Sequence, residues 1–215
     1  MNQEIYKILT ERILFLEYEP GQILNEKTLA KEFGVSRTPL REVLCWMERD
    51  GLVRILPRTG TMVSEIKFPK MMHTYQIRFE IEGLLGRLST VQYTPEHLAK
   101  METLAEKCRH LYEHKRIREL MEIDIEFREL LFAAADNPVL RDISNQLYHL
   151  TLRLWCITLS RGQWKEEVRA MHEEIEATIE AWKARNPDRT EKMRRDALVS
   201  HFERIRTKYF GQTAK

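Results

Sequence analysis

The sequence predicts a mainly α chain in two parts: a small N-terminal unit of three helices and a β-hairpin, then an antiparallel all-α helical bundle. Three observations carry this expectation. Apolar residues recur with helical period through the first 50 positions and again from about residue 70 to the C-terminus. Two β-like runs, framed by Gly and Pro, occur only between residues 52 and 66. The 215 residues, 43% hydrophobic and 32% charged, have ordinary globular composition and suffice for two domains.

Helix 2–17 follows from the stripe Ile5, Ile8, Leu9, Ile13 and Leu16, and Pro20-Gly21 ends it. A second helix begins after the cap residue Asn25 and runs through Leu29 and Ala30 to Phe33. Gly34-Val35 makes a tight turn. Ser36 caps a third helix, with Pro39 in its first turn, where a missing amide hydrogen costs little. Leu40, Val43, Leu44 and Met47 share one face of that helix, and Asp50-Gly51 stops it. Runs 52–56 and 61–66, joined by Pro57-Arg58-Thr59-Gly60, form a hairpin. This order of elements is that of a winged helix-turn-helix. The expected organisation is therefore a winged helix-turn-helix domain at 1–66, a linker at 67–70 and an all-helical domain at 71–215. Helices in the last are expected at 70–91, 95–112, 116–135, 138–160, 164–185 and 188–209, with Pro95, Pro138 and Pro187 near starts and Gly162 in a loop.

Composition excludes several classes. The longest apolar runs, such as 83–86 and 130–135, fall far short of a bilayer span. The N-terminus carries no basic stretch followed by a long apolar core, so a cytoplasmic protein is expected. Cys45, Cys108 and Cys156 are scattered, which argues against a disulfide framework or structural zinc; each is expected to be a small buried residue. Net charge is only +2, so charge placement matters more than its sum. Arg37, Arg41, Arg49, Arg54 and Arg58 lie between residues 36 and 60, at a helix start and on a turn.

Those positions point to duplex DNA. Side chains at the start of a recognition helix face base edges when the helix enters the major groove. Arg37 or Arg41 can grip guanine with both arms, while the Ser36 and Thr38 hydroxyls and the helix N-terminus suit phosphates. Lys27 is placed for the backbone, and Arg58 and Gly60 at the hairpin tip suit a narrow groove. The plainer reading makes Ser36 only a cap and Arg41 a surface partner of Glu42 or Glu48; it serves for one residue, not for the whole arrangement.

Residues 20–63 resemble the GntR family. The matching positions are Pro20-Gly21-x-x-Leu24, Leu29-Ala30-x-x-Phe33-Gly34-Val35-Ser36-Arg37-Thr38-Pro39-x-Arg41-Glu42, Gly51-Leu52-Val53 and Gly60-x-x-Val63. Glu17 departs from the glycine that many members have before the Pro-Gly turn. The resemblance implies that Lys27, Arg37, Thr38, Arg41 and Gly60 occupy DNA-contacting positions. The helical half resembles the FadR-like branch with FCD-type effector domains, through Arg78-x-x-x-Glu82, Asp124-x-x-Phe127, Asn137-x-x-Leu140, His172-x-x-Ile175 and His201.

In many FCD domains an Asp and three His hold one divalent metal, such as zinc, inside the bundle. The resemblance makes Asp124, His172 and His201 candidate ligands here, with added chain at 184–190 ahead of His201. Position 128 departs, because arginine stands where the family has histidine, and a guanidinium offers no lone pair. Either the metal is lost and Arg128 binds an anionic effector directly, or the three remaining ligands hold a metal while Arg128 points elsewhere. The implied function is a ligand-responsive DNA-binding regulator, a homodimeric repressor released from a pseudo-palindromic operator by a small carboxylate. Arg78, Asp124, Arg128, His172 and His201 are the candidate effector contacts, and Arg78 also has a plainer partner in Glu82. The alternative is a metal-dependent enzyme localised to DNA, disfavoured because no nucleophile and base are paired. Trp155, Trp164 and Trp182 are expected to fill core or dimer contacts, and His110 and His149 carry no assigned role.

Overall fold

The computed structural model describes residues 1–159 and 163–210, the last two by backbone alone. Gly162, expected in a loop, lies outside the described residues, as does residue 160 at the end of a predicted helix. By density of internal contacts the chain divides into two compact units. The first comprises residues 1–72 with 148–156, the second 73–147 with 157–215.

In the first unit, α1 (Asn2–Leu14), α2 (Glu26–Glu32) and α3 (Arg37–Arg49) pack beside a three-stranded antiparallel sheet. Its core consists of Ile5, Leu9 and Ile13 from α1, Leu29 from α2, Leu40, Val43, Leu44 and Met47 from α3, and Leu52, Val53 and Val63. The stripe predicted for the third helix is buried in full; of the stripe predicted for the first, Ile5, Leu9 and Ile13 are buried, while Ile8 is half-buried and Leu16 lies beyond the helix. Helix α1 stops three residues earlier than expected. Leu16 turns into left-handed backbone (φ 60°), and Glu17 N–H bonds back to the Arg12 carbonyl at 2.8 Å, closing the last turn. Gly34 and Gly51 end α2 and α3 in the same way, with φ of 64° and 74°. Strands β2 (Val53–Leu56) and β3 (Gly60–Val63) form the predicted hairpin, paired from Val53–Val63 to Leu56–Gly60. A two-residue strand β1 (Ile23–Leu24) adds to the far side of β3. Two residues carry no alternation, so β1 had no signature in the sequence.

The second unit is helical throughout the described residues: α4 (Phe68–Gln92), α5 (Pro95–Arg109), a 3-10 turn at His110–Tyr112, α6 (Ile117–Ala135), α7 (Pro138–Leu159), α8 (Trp164–Lys183) and α9 (Pro187–Phe210). Helices α4 and α7 each give part of their length to the first unit. The residues expected as linker are mostly helix, since α4 begins at Phe68. The added chain at 184–190 is a turn through left-handed Arg185 (φ 47°) followed by the start of α9. Trp182 is fully buried, stacked on Tyr93 with ring centroids 5.0 Å apart, and Trp164 Nε1 donates to the Leu111 carbonyl at 2.7 Å. Trp155 is also buried. Trp155 and Trp182 are thus core residues, and Trp164 is half-buried. Cys108 and Cys156 are buried as expected; Cys45 is exposed on α3. It falls off the face formed by Leu40, Val43, Leu44 and Met47, so helical phase carries it outward.

Candidate DNA interface and effector site

Local chemistry sets the start of α3. Asn25 caps α2, accepting from Thr28 N–H at 3.0 Å, and Gly34 then reverses the chain. Ser36 sits at the N-cap position of α3, yet its side chain makes no capping hydrogen bond. Its exposed hydroxyl is therefore left for another acceptor or donor, contrary to the expected cap. Arg37, Thr38 and Arg41 are exposed, as are Lys27 and Arg58, and Gly60 is half-buried. Lys27, Arg37, Arg41, Arg58 and Gly60 line one concave surface, and Arg37, Thr38 and Arg41 also border an adjoining groove along α3.

Arg41 pairs with neither Glu42 nor Glu48. Its Nε lies 3.1 Å from Glu26, which also accepts from Thr61 Oγ1 at 3.1 Å. Glu42 accepts instead from Asn2, and Glu48 from Ile55 N–H. The Arg41 side chain is 70% exposed, so this pair contributes at most about 1 kcal/mol and exchanges readily for a base or phosphate. Glu26 was missed in the sequence because its partners lie 15 and 35 positions away. At the hairpin tip, Arg58 holds left-handed backbone (φ 66°), and Gly60 adopts φ 126° with the Leu24 carbonyl only 3.2 Å from where a Cβ would stand. Only glycine fits there without strain.

The second unit has a polar centre. Glu82 on α4 is fully buried. One carboxylate oxygen accepts from Arg78 at 3.0 Å and from Arg128 on α6; the other accepts from Arg194 on α9 at 2.8 Å. Arg128 also donates to Ser144 on α7 at 2.7 Å, and Arg194 to Glu174 on α8. Four helices thus meet in one ion-pair network, and α7 joins it through the Ser144 hydrogen bond. Burial opposes ionisation of Glu82, but Arg128, Arg194 and Arg78 together outweigh it and hold the carboxyl well below the usual range. Arg194 additionally lies 4.7 Å from the Phe127 ring centroid. Small residues on α4 let α9 come close enough. A Cβ on Gly86 would meet Arg194 Cγ at 2.6 Å, and Thr90 donates to Thr190 at 2.8 Å.

The predicted effector residues are therefore only partly brought together. Arg78 and Arg128 meet through Glu82. Asp124, His172 and His201 are half-buried. His172 lies 3.8 Å from Glu176 and edge-on to Tyr112. His201 is pushed down to about 3 by burial and then by Arg204. The candidate ligand set Asp124, His172 and His201 is not assembled: among the described residues no three His, Cys, Asp or Glu side chains converge to hold a metal. Position 128 explains part of this, since its guanidinium is bound into the network with Glu82 and Ser144. The residues do not fit the metal that the resemblance implied. A groove of about 510 Å³ between α8 and α9 opens onto Glu174, lined also by Arg189, Lys192, Ser200 and Arg204; none of the five expected effector residues lines it.

A basic, exposed helix start beside a hairpin, joined to a helical bundle with a charged centre, defines the class: a winged helix-turn-helix transcription regulator with a helical sensor domain. Residues 1–63 match the bacterial regulatory proteins of the gntR family, and residues 73–203 match the FCD domain. The chain belongs to the FCD-domain branch of the GntR family of transcriptional regulators. It is 27% identical over 205 residues to the HTH-type transcriptional repressor RspR of Escherichia coli (strain K12), covering 95% of this chain and 87% of that protein. It is 30% identical over 148 residues to the HTH-type transcriptional regulator YdhC of Bacillus subtilis (strain 168), covering 68% and 65%. The E. coli McbR/YncC structure shares the fold, with a TM-score of 0.87 at 20% identity over 97% of this chain and 98% of that one. Among the described residues no helix is long and apolar enough to cross a membrane.

Proposed function

We propose that this regulator is a homodimeric cytoplasmic repressor, without enzymatic activity, that leaves a pseudo-palindromic operator when a small carboxylate enters its helical unit. The exposed cluster of Arg37, Thr38 and Arg41, on a surface shared with Lys27, Arg58 and Gly60, carries the DNA half of this reading. Arg37 and Arg41 reach base edges, Ser36, Thr38 and Lys27 hold phosphates, and Arg58 with Gly60 enters the neighbouring groove. The division of labour is 1–66 for DNA, 67–70 for connection, and 71–215 for dimerisation and effector binding. That RspR is named a repressor supports the sign of regulation.

Dimerisation is supported by α4. Ile77, Leu84 and Val91 recur every seven residues and are 53%, 44% and 59% exposed, with half-exposed Ile81 and Leu88 between them. Spacing of four and three along one helix is a coiled-coil seam, which a second copy would cover. The arginines around Glu82 support an acidic effector, because forked guanidiniums recognise carboxylates. Asp124, His172 and His201 remain candidates for its other polar contacts. An effector that favours the non-binding arrangement by about 1–3 kcal/mol lowers operator affinity roughly five- to a hundred-fold.

Selection of bound duplexes from a random library, followed by footprinting, tests the reading. Inverted half-sites centred about one helical turn apart are expected. Failure to enrich any sequence, with no protected nucleotides, rejects it.

A further inference from the structure

We propose that the first unit holds a phosphate-binding pocket of its own, built around the buried guanidinium of Arg153. A pocket of about 390 Å³, within the range of small-molecule sites, opens beside the base of the β2–β3 hairpin. Arg54, Lys67, Lys70 and Arg153 line it together with Glu48 and Glu65, and all six belong to the first unit. Arg153, on the stretch of α7 within that unit, is 2% exposed. Its Nη2 donates to the carbonyl of Ser64, also in the lining, at 2.6 Å, while its Nε has no hydrogen-bond partner. The other buried arginines, Arg78, Arg128 and Arg194, all pair with Glu82. Arg153 alone among them makes no ion pair with the described residues. A buried cation without a countercharge leaves its desolvation uncompensated. Burial pushes Arg153 down to about 10, so it still carries its charge at neutral pH.

The lining names the ligand class. The unengaged Nε–H belongs to the fork with which arginine grips two oxygens of one oxyanion. Lys70 Nζ stands 3.6 Å from where a Cβ on Gly51, another lining residue, would lie, so the ammonium reaches the pocket. Four cations exceed the two carboxylates by two charges, and Glu48 is engaged by Ile55 N–H at 2.7 Å. A dianion balances that excess, and a monocarboxylate does not. The ligand is therefore a phosphate dianion, free or carried as the monoester of a small metabolite. Its contacts would join the hairpin, the start of α4 and α7. None of these residues belongs to the effector set, so the site goes beyond the function proposed above.

Calorimetric titration of the full-length chain tests this, with inorganic phosphate and then glycerol phosphate, at constant ionic strength set by sodium chloride. Saturable binding at a single site is expected. Tighter binding of the monoester makes a metabolite the source, and equal binding makes it the free ion. Arg153→Met keeps an apolar stem and should weaken binding about tenfold or more. Should that variant fail to fold, Arg54→Ser with Lys67→Ser alters exposed side chains and should weaken binding roughly two- to fivefold. No saturable binding of either phosphate, or unchanged affinity in a folded variant, overturns the proposal. Acetate binding that R153M abolishes would make this a carboxylate pocket and overturn it equally. Operator DNA takes no part, and the variants lie outside the effector set, so failure here leaves the proposed function standing.

Discussion

Arg41 shows how one side chain can be restrained without being blocked. Its contact with Glu26 is exposed and weak, so the guanidinium is held near the start of α3 and released at little cost. Replacing it should act on DNA and not on folding. Arg41→Ala is expected to lower operator affinity by about 1–3 kcal/mol and relax selectivity at one base pair, measured by titration against variant operators. Unchanged affinity would remove Arg41 from the interface. The exposed arginines at this helix start were legible in sequence, because a turn, a proline and a short apolar face fix the phase of α3. Their partner Glu26 was not, since a tertiary contact leaves no local pattern. The same limit hid the centre of the bundle. Arg78 and Glu82 were visible as an i, i+4 pair, yet Arg194 lies 112 positions from Glu82, in a charged run that periodicity reads as surface.

At the scale of elements, α4 has two working faces. One carries Glu82, Gly83 and Gly86 toward α9; the other exposes Ile77, Leu84 and Val91. The faces give separable predictions. Gly86→Leu forces α9 outward and withdraws Arg194 from Glu82; a loss of about 3–5 kcal/mol is expected in urea unfolding, as for breaking a buried ion pair. Leu84→Glu leaves the fold intact and places like charges across the proposed seam, so light scattering should show a monomer where wild type is a dimer. Helix order and most helix lengths were readable because prolines and glycines mark the boundaries, although α1 ends earlier and α4 begins earlier than expected. The share of α7 that packs with the first unit was not, because nothing in its spacing separates residues 148–156 from their neighbours.

For the whole molecule, two perturbed groups in the helical unit, His201 and Glu82, make stability a function of pH. His201 is depressed from 6.5 to about 3, so the folded chain binds fewer protons than the unfolded chain between those values. Its contribution is present above about pH 6.5 and is lost as pH falls toward 3. Glu82, also depressed, adds to the loss below about pH 4.3, the ordinary glutamate value. Urea midpoints should therefore fall from pH 7 to pH 4, and His201→Gln should flatten the part of the slope above pH 5. A flat wild-type profile would contradict the burial of that imidazole among cations. Because the centre is closed by Arg128 and not by a histidine, a chelator should leave the melting temperature unchanged.

The exposure of Cys45 supplies a ready-made reporter. Cys108 and Cys156 are buried, and burial pushes their thiols up to about 12 and 11, so only Cys45 should react quickly with a maleimide at neutral pH. It borders the groove along α3 with Arg37, Thr38 and Arg41. A dye attached there needs no engineered residue, and a bound duplex should both shield the thiol from alkylation and change the dye's emission.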